Sequence, residues 1–160
     1  MDLFDEKNEI APKDLGEILI SEYIANDILC PRLQLDISVE QRNNYLTMCK
    51  IYRIALVLIV MMNEEHNNPK VLSVRESVEG RLFHRQNGKT LAFLDQVRGA
   101  MSDLGNLISS QGSKKELSWA ISWLSSLGID SSNPADLTLF AVNWMDQSVA
   151  IAKFLREIYH

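Results

Sequence analysis

The sequence predicts an all-α fold: a single-domain bundle of five to six helices around a long apolar helix spanning about residues 38–66. Three observations carry that expectation. Ile54 to Met62 are nine consecutive apolar residues inside a longer helical pattern. A helix apolar on every side requires a sheath, and such a run is far short of the roughly 20 residues that cross a bilayer, so the sheath is protein. Seven Gly and four Pro in 160 residues leave few turns for a β-rich chain. Capping and breaking residues also recur at intervals that divide the chain into helices with short connections.

Taken in order, Pro12 to Cys30 reads as the first amphipathic helix, with Leu15, Ile18, Leu19, Ala25, Ile28 and Leu29 near helical spacing. Pro31 ends it, because proline lacks an N–H and clashes with the preceding turn. The central helix opens at Ser38-Val39-Glu40-Gln41, an S-x-x-Q capping box in which hydroxyl and amide each take a free backbone N–H. Asn67-Asn68-Pro69 closes that helix and opens the third, with Asn68 as cap and Pro69 where no N–H is needed. The third helix runs from about Pro69 to Gln86 with Val71, Val74, Val78 and Leu82 on one side, and Asn87-Gly88 stops it.

Thr90 to Ser109 follows, where Leu94, Val97, Met101, Leu104 and Ile108 at alternating steps of three and four form a narrow packing stripe, weakened locally by Gly99 and Gly105. Ser113-Lys114-Lys115-Glu116 is a second capping box, and Gly128 ends the helix it opens. That helix gathers Leu117, Ala120, Ile121, Leu124 and Leu127, with Trp119 and Trp123 along one margin and Ser118, Ser122, Ser125 and Ser126 turned to solvent. Ser132-Asn133-Pro134 opens the last helix, Pro134 to Tyr159. It bears Leu137, Ala141, Trp144, Ser148, Ile151, Leu155 and Ile158 as one stripe and Val142, Met145, Val149, Ala152 and Tyr159 as another, an arc wide enough for two neighbours.

Residues 1–11 read as an acidic, solvated N-terminal segment ahead of a bundle spanning 12–160. Residues 1–40 hold ten acids against three bases, whereas residues 41–160 hold thirteen bases against eleven acids. The net charge of -5 argues against general nucleic-acid binding, which draws on an excess of Lys and Arg. Met1 to Ile10 has neither the positive start nor the apolar core of a secretory signal, so a cytoplasmic protein without a membrane span is expected. Cys30 and Cys49, distant in sequence and set among apolar residues, read as small core side chains, not as a redox or metal pair.

Motifs with specific chemistry fall away one by one. Gly88-Lys89-Thr90 has the form of a P-loop ending, but the earlier glycine would fall at Phe83 and a helix precedes it where a strand is needed. Glu157-Ile158-Tyr159-His160 has the E-x-x-H spacing of di-iron bundles, without the second such pair that those sites use. Glu64-Glu65-His66 reads as a solvated helix end, and no G-x-S-x-G elbow is present. No catalytic residue, cofactor or metal is therefore expected.

Two binding candidates remain. Arg81 and Arg85 share a helical face, His84 lies beside them and Lys89 follows at the turn, a set able to clamp a phosphate or an acidic protein segment. Trp119 and Trp123, one turn apart, are of the type that dominates association surfaces. The expected function is a non-enzymatic protein–protein interaction module of regulator, adaptor or inhibitor type, self-associating as a homodimer. The alternative is a phosphate- or nucleic-acid-binding or processing domain using the basic turn around 81–89. Complementarity between the acidic front and that turn further implies internal docking or reciprocal dimer contacts.

Overall fold

The computed structural model describes residues 10–31, 37–84, 88–109, 115–130 and 133–159, with the backbone alone for 88–90 and 115. Among these the chain forms six α-helices and no strand: α1 Pro12–Leu19, α2 Val39–Glu65, α3 Lys70–Phe83, α4 Gly88–Ser109, α5 Lys115–Ser126 and α6 Pro134–Ile158. Helix α2 is the central post. It packs against α3, α4 and α6, while α1 lies on α3 and α5 on α6. By length and composition alone α2 is apolar enough to cross a bilayer, yet 67% of its most apolar stretch is buried by protein.

The capping box at the start of α2 forms as its sequence demands: the Ser38 N–H donates to Gln41 Oε1 at 3.0 Å and the Gln41 N–H to Ser38 Oγ at 3.1 Å. The same Gln41 amide donates to the Gly128 carbonyl at 2.9 Å, fastening the head of α2 to the turn after α5. Gly128 makes that turn with φ +71°, the left-handed region that glycine enters without a side-chain clash. At α6, Asn133 caps by accepting the Ala135 N–H at 3.0 Å.

Several boundaries depart from the sequence reading for visible reasons. The first helix does not run to Cys30. After Leu19 it widens into a π turn, Ile20–Ile24, in which the Ala25 N–H reaches the Ile20 carbonyl, and a 3-10 turn follows at Asp27–Leu29. The carbonyl of Ile24 is withdrawn from further helix by Arg53, whose Nε donates to it at 2.9 Å, and Asn26 Oδ1 takes the Ile28 N–H instead. Gly88 begins α4 and does not stop α3. Ile121, grouped by periodicity with the buried face of α5, is exposed, whereas Ser118, Ser122, Ser125 and Ser126 face outward as expected. Ser113 and Lys114 of the second capping box lie outside the described residues.

Where α1 crosses α3 the helices come close, because a Cβ at Gly16 would stand 3.1 Å from Ser77 Oγ. That approach seats Glu17 against Arg81 at 3.0 Å. Where α2, α5 and α6 meet the core is aromatic: Trp123 meets Phe140 at 4.9 Å and Tyr52 edge-on at 5.4 Å, and Tyr45, Trp119 and Trp144 close around them. Cys30 and Cys49 are buried and free, as core residues, but the fold also brings them together. The Cys49 thiol hydrogen-bonds to the Cys30 sulfur, which holds Cys30 below the ordinary thiol range, while burial pushes Cys49 up.

Candidate functional site

The nine-residue apolar run in α2 is not covered all round. Ile54 to Leu58, Val60 and Met61 are buried, but Ile59 is only half-buried and Met62 is 41% exposed. On α6 the second apolar stripe behaves in the same way: Met145 and Tyr159 are buried, Val142 and Ala152 partly so, and Val149 is 66% exposed. Two helices each carry more apolar surface than their neighbours cover. At Ile59, Val149 and Ala152 the uncovered parts meet.

Between them opens a groove of about 910 Å³. Its apolar floor is Ile59 and Val60 of α2, Ile108 near the end of α4, and Val149 and Ala152 of α6. Glu64 and Arg156 stand at its edge. Glu64 is 7% exposed, and Arg156 holds both its oxygens, Nε at 3.1 Å from each and Nη2 at 2.8 Å from Oε1. The hydrogen bonds and charge of Glu64 hold the guanidinium above its ordinary pKa. Lys153 and Glu157 face each other more loosely across one helical turn at 3.9 Å. The α6 wall is pinned at its end by Asn68, whose Nδ2 donates to the Tyr159 carbonyl. Arranged this way, the groove offers an apolar channel bordered by fixed charges of both signs.

The residues singled out from sequence are placed differently. Trp123 is 5% exposed and packs inside the aromatic core, so its ring presents no docking surface. Trp119 is half-buried and donates its Nε1–H to Asp103 at 2.9 Å, and the same carboxylate accepts the Tyr52 hydroxyl at 2.6 Å. These tryptophans stabilise the bundle. A margin position on a helix wheel does not say what lies against the margin, and at Trp123 it is Phe140 and Tyr52.

The basic turn is only partly visible: Arg85 and the Lys89 side chain lie outside the described residues. Arg81 is exposed and paired with Glu17, a contact of the internal kind that charge complementarity implied. His84 is exposed, with Nδ1 at 3.2 Å from the Arg81 carbonyl. Arg75 is committed to Glu65 at 2.7 Å and Glu79 at 2.8 Å, which raises its already high pKa and lowers that of Glu65. A phosphate arriving here would first have to displace carboxylates. Among the described residues no three His, Cys, Asp or Glu side chains stand together as metal ligands, and His160 of the E-x-x-H lies outside them.

Compared with known protein families, curated proteins and solved structures, the chain matches none of them. Its groove therefore has to be read on its own chemistry. Ile59, Val149 and Arg156 were not among the residues the sequence singled out for a site; the excess width of the α6 apolar arc was a signal for Val149, whereas nothing local marks Ile59 or Arg156.

Proposed function

We infer that the chain is a non-enzymatic protein-binding module, of regulator, adaptor or inhibitor type, that receives a helical segment of a protein partner in the groove between α2, α4 and α6. The observation that carries this reading is the convergence of Ile59, Ile108, Val149 and Ala152, left incompletely covered on three helices and facing one channel. Apolar anchors on an amphipathic helix fill such channels, and the Glu64–Arg156 and Lys153–Glu157 pairs at the border match the polar flanks of such a helix. A cytoplasmic setting and self-association belong to the same proposal.

The test is selection of displayed amphipathic peptides on the full chain, with Val149→Arg for counter-selection. Peptides that bind the parent chain and lose binding to Val149→Arg support the groove. Absence of any such peptide, or binding indifferent to Val149→Arg, overturns it.

A further inference from the structure

The outward face of α6 carries its own complement. Leu139, Val142, Asp146, Val149 and Lys153 fall within an arc of roughly 80° at 100° per residue, opposite the face that Phe140, Trp144, Ile151 and Leu155 bury in the core. Leu139 and Val149 are each 66% exposed. A smaller hollow of about 240 Å³, lined by Pro31, Leu139, Val142 and Asp146 among others, borders the first half of this face, and the large groove borders the second half. Asp146 forms no ion pair among the described residues, and Lys153 has only its 3.9 Å neighbour Glu157.

We propose that the groove is occupied by α6 of a second copy of this chain, the two helices packed antiparallel about a two-fold axis at the level of Val149 and Ala150. This rests on reading the groove as a docking site and names what docks there. The order of charges fixes both partner and direction. About an axis at that level, residues whose numbers sum to about 299 stand opposite one another at the 1.5 Å rise of a helix. Asp146 of each copy then stands beside the second copy's Lys153, twice, with the two Val149 side chains packed between the pairs. A parallel arrangement in register would set Asp146 on Asp146 and Lys153 on Lys153, repulsive at both positions. The antiparallel one also lays the first half of each α6 over the second half of the other, with Val142 opposite Glu157 at the end of the large groove. Such a contact is isologous, the same surface on both copies, and closes at two.

Sedimentation velocity of the full chain over a wide concentration range tests this. The parent chain is expected to dimerise. Asp146→Lys makes both facing positions positive and Lys153→Asp makes both negative, so each variant alone should associate roughly tenfold or more weakly, and more so at low salt. Mixed in equal amounts, the two variants have every facing pair attractive and should associate again as a heterodimer. Val149→Glu should be monomeric. All of these positions are exposed, and unchanged circular dichroism verifies that each variant is folded. A monomeric parent chain, a dimer indifferent to both reversals, or a mixture that stays apart overturns the proposal. If the parent chain is monomeric while selected peptides still bind in a Val149-dependent way, self-pairing falls and the groove reading stands. If neither binding is seen, both fall.

Discussion

Replacing Asp103 by alanine withdraws one carboxylate from two donors on different helices: the Tyr52 hydroxyl of α2 at 2.6 Å and the Trp119 indole of α5 at 2.9 Å. Asp103 itself belongs to α4, so a single side chain ties three helices. Burial, and then the hydrogen bond to Asp103, hold the Tyr52 phenol above its ordinary range, the mark of a donor with no easy access to water. A hydrogen bond to a charged group contributes about 1.5–3 kcal/mol. Tyr52 is nearly buried and takes a value toward the upper end; Trp119 is half-buried, its indole can regain water, and it takes less. The expected loss for Asp103→Ala is about 4 kcal/mol, or a fall in Tm of roughly 8–16 °C for a chain of this size. Asp103→Asn keeps one acceptor but turns its NH2 toward the other donor, so about half the loss is expected. Urea unfolding followed by circular dichroism, with exposed Ser102→Ala as reference, measures both. If Asp103→Ala is no less stable than Ser102→Ala, or if the asparagine variant is as damaged as the alanine one, the tie is not what holds these helices.

Arg53 has a fully buried side chain, bonded to the Ile24 carbonyl at 2.9 Å and to Asp27, itself 71% exposed, at 2.8 Å. Arg53→Ala should cost about 3–5 kcal/mol by orphaning that carbonyl and leaving a cavity, and Arg53→Met, which refills the volume without charge, distinctly less; equal losses in denaturant melts would contradict this. Because Arg75 lowers the folded-state pKa of Glu65 below its ordinary 4.5, the pair's contribution is complete above that pH and fades as pH falls through the folded value. The gap in unfolding midpoint between the parent chain and Glu65→Gln should accordingly shrink in acid, and a gap constant with pH counts against the pair. Gly99→Ala and Gly105→Ala place a methyl in open space inside α4 and should each raise stability by about 0.5–1 kcal/mol, read from the same melts; a loss at either position means hidden crowding. Cys30 and Cys49 should resist a thiol-specific chromogenic reagent in the native protein and react on denaturation, and prompt native labelling would show that the core opens there.

What the sequence disclosed was whatever depends on neighbours in the chain. Ser38 and Gln41 are three residues apart, so their reciprocal bonds are implicit in the spacing, and Asn133-Pro134 and Gly128 act equally locally. The end of the first helical run at Ile24, short of Cys30, was not legible, because its agent is Arg53, 29 positions beyond the carbonyl it captures. Trp123 shows the same limit from the other side. Its spacing fits a docking stripe as well as a core stripe, and only the arrival of Phe140 and Tyr52 decides between them. The groove was half legible: the apolar arc of α6 was too wide for one neighbour, but periodicity cannot say that part of the excess stays uncovered.

That division separates the residues that hold the fold from those that meet a partner. Glu64 is nearly buried at the edge of the groove, and the exposed Arg156 holds its carboxylate, so the border is set before anything docks. Behind it, Phe140 and Trp144 anchor α6 to the aromatic core, while Asp146, Val149 and Lys153 point away from that core. Substitutions at the outward three should therefore change association with the melting temperature of the monomer nearly constant, and substitutions at Asp103 or Arg53 should do the reverse. The melts that show this separation are run at concentrations where the chain is monomeric, because association itself raises the apparent stability of the folded chain by mass action.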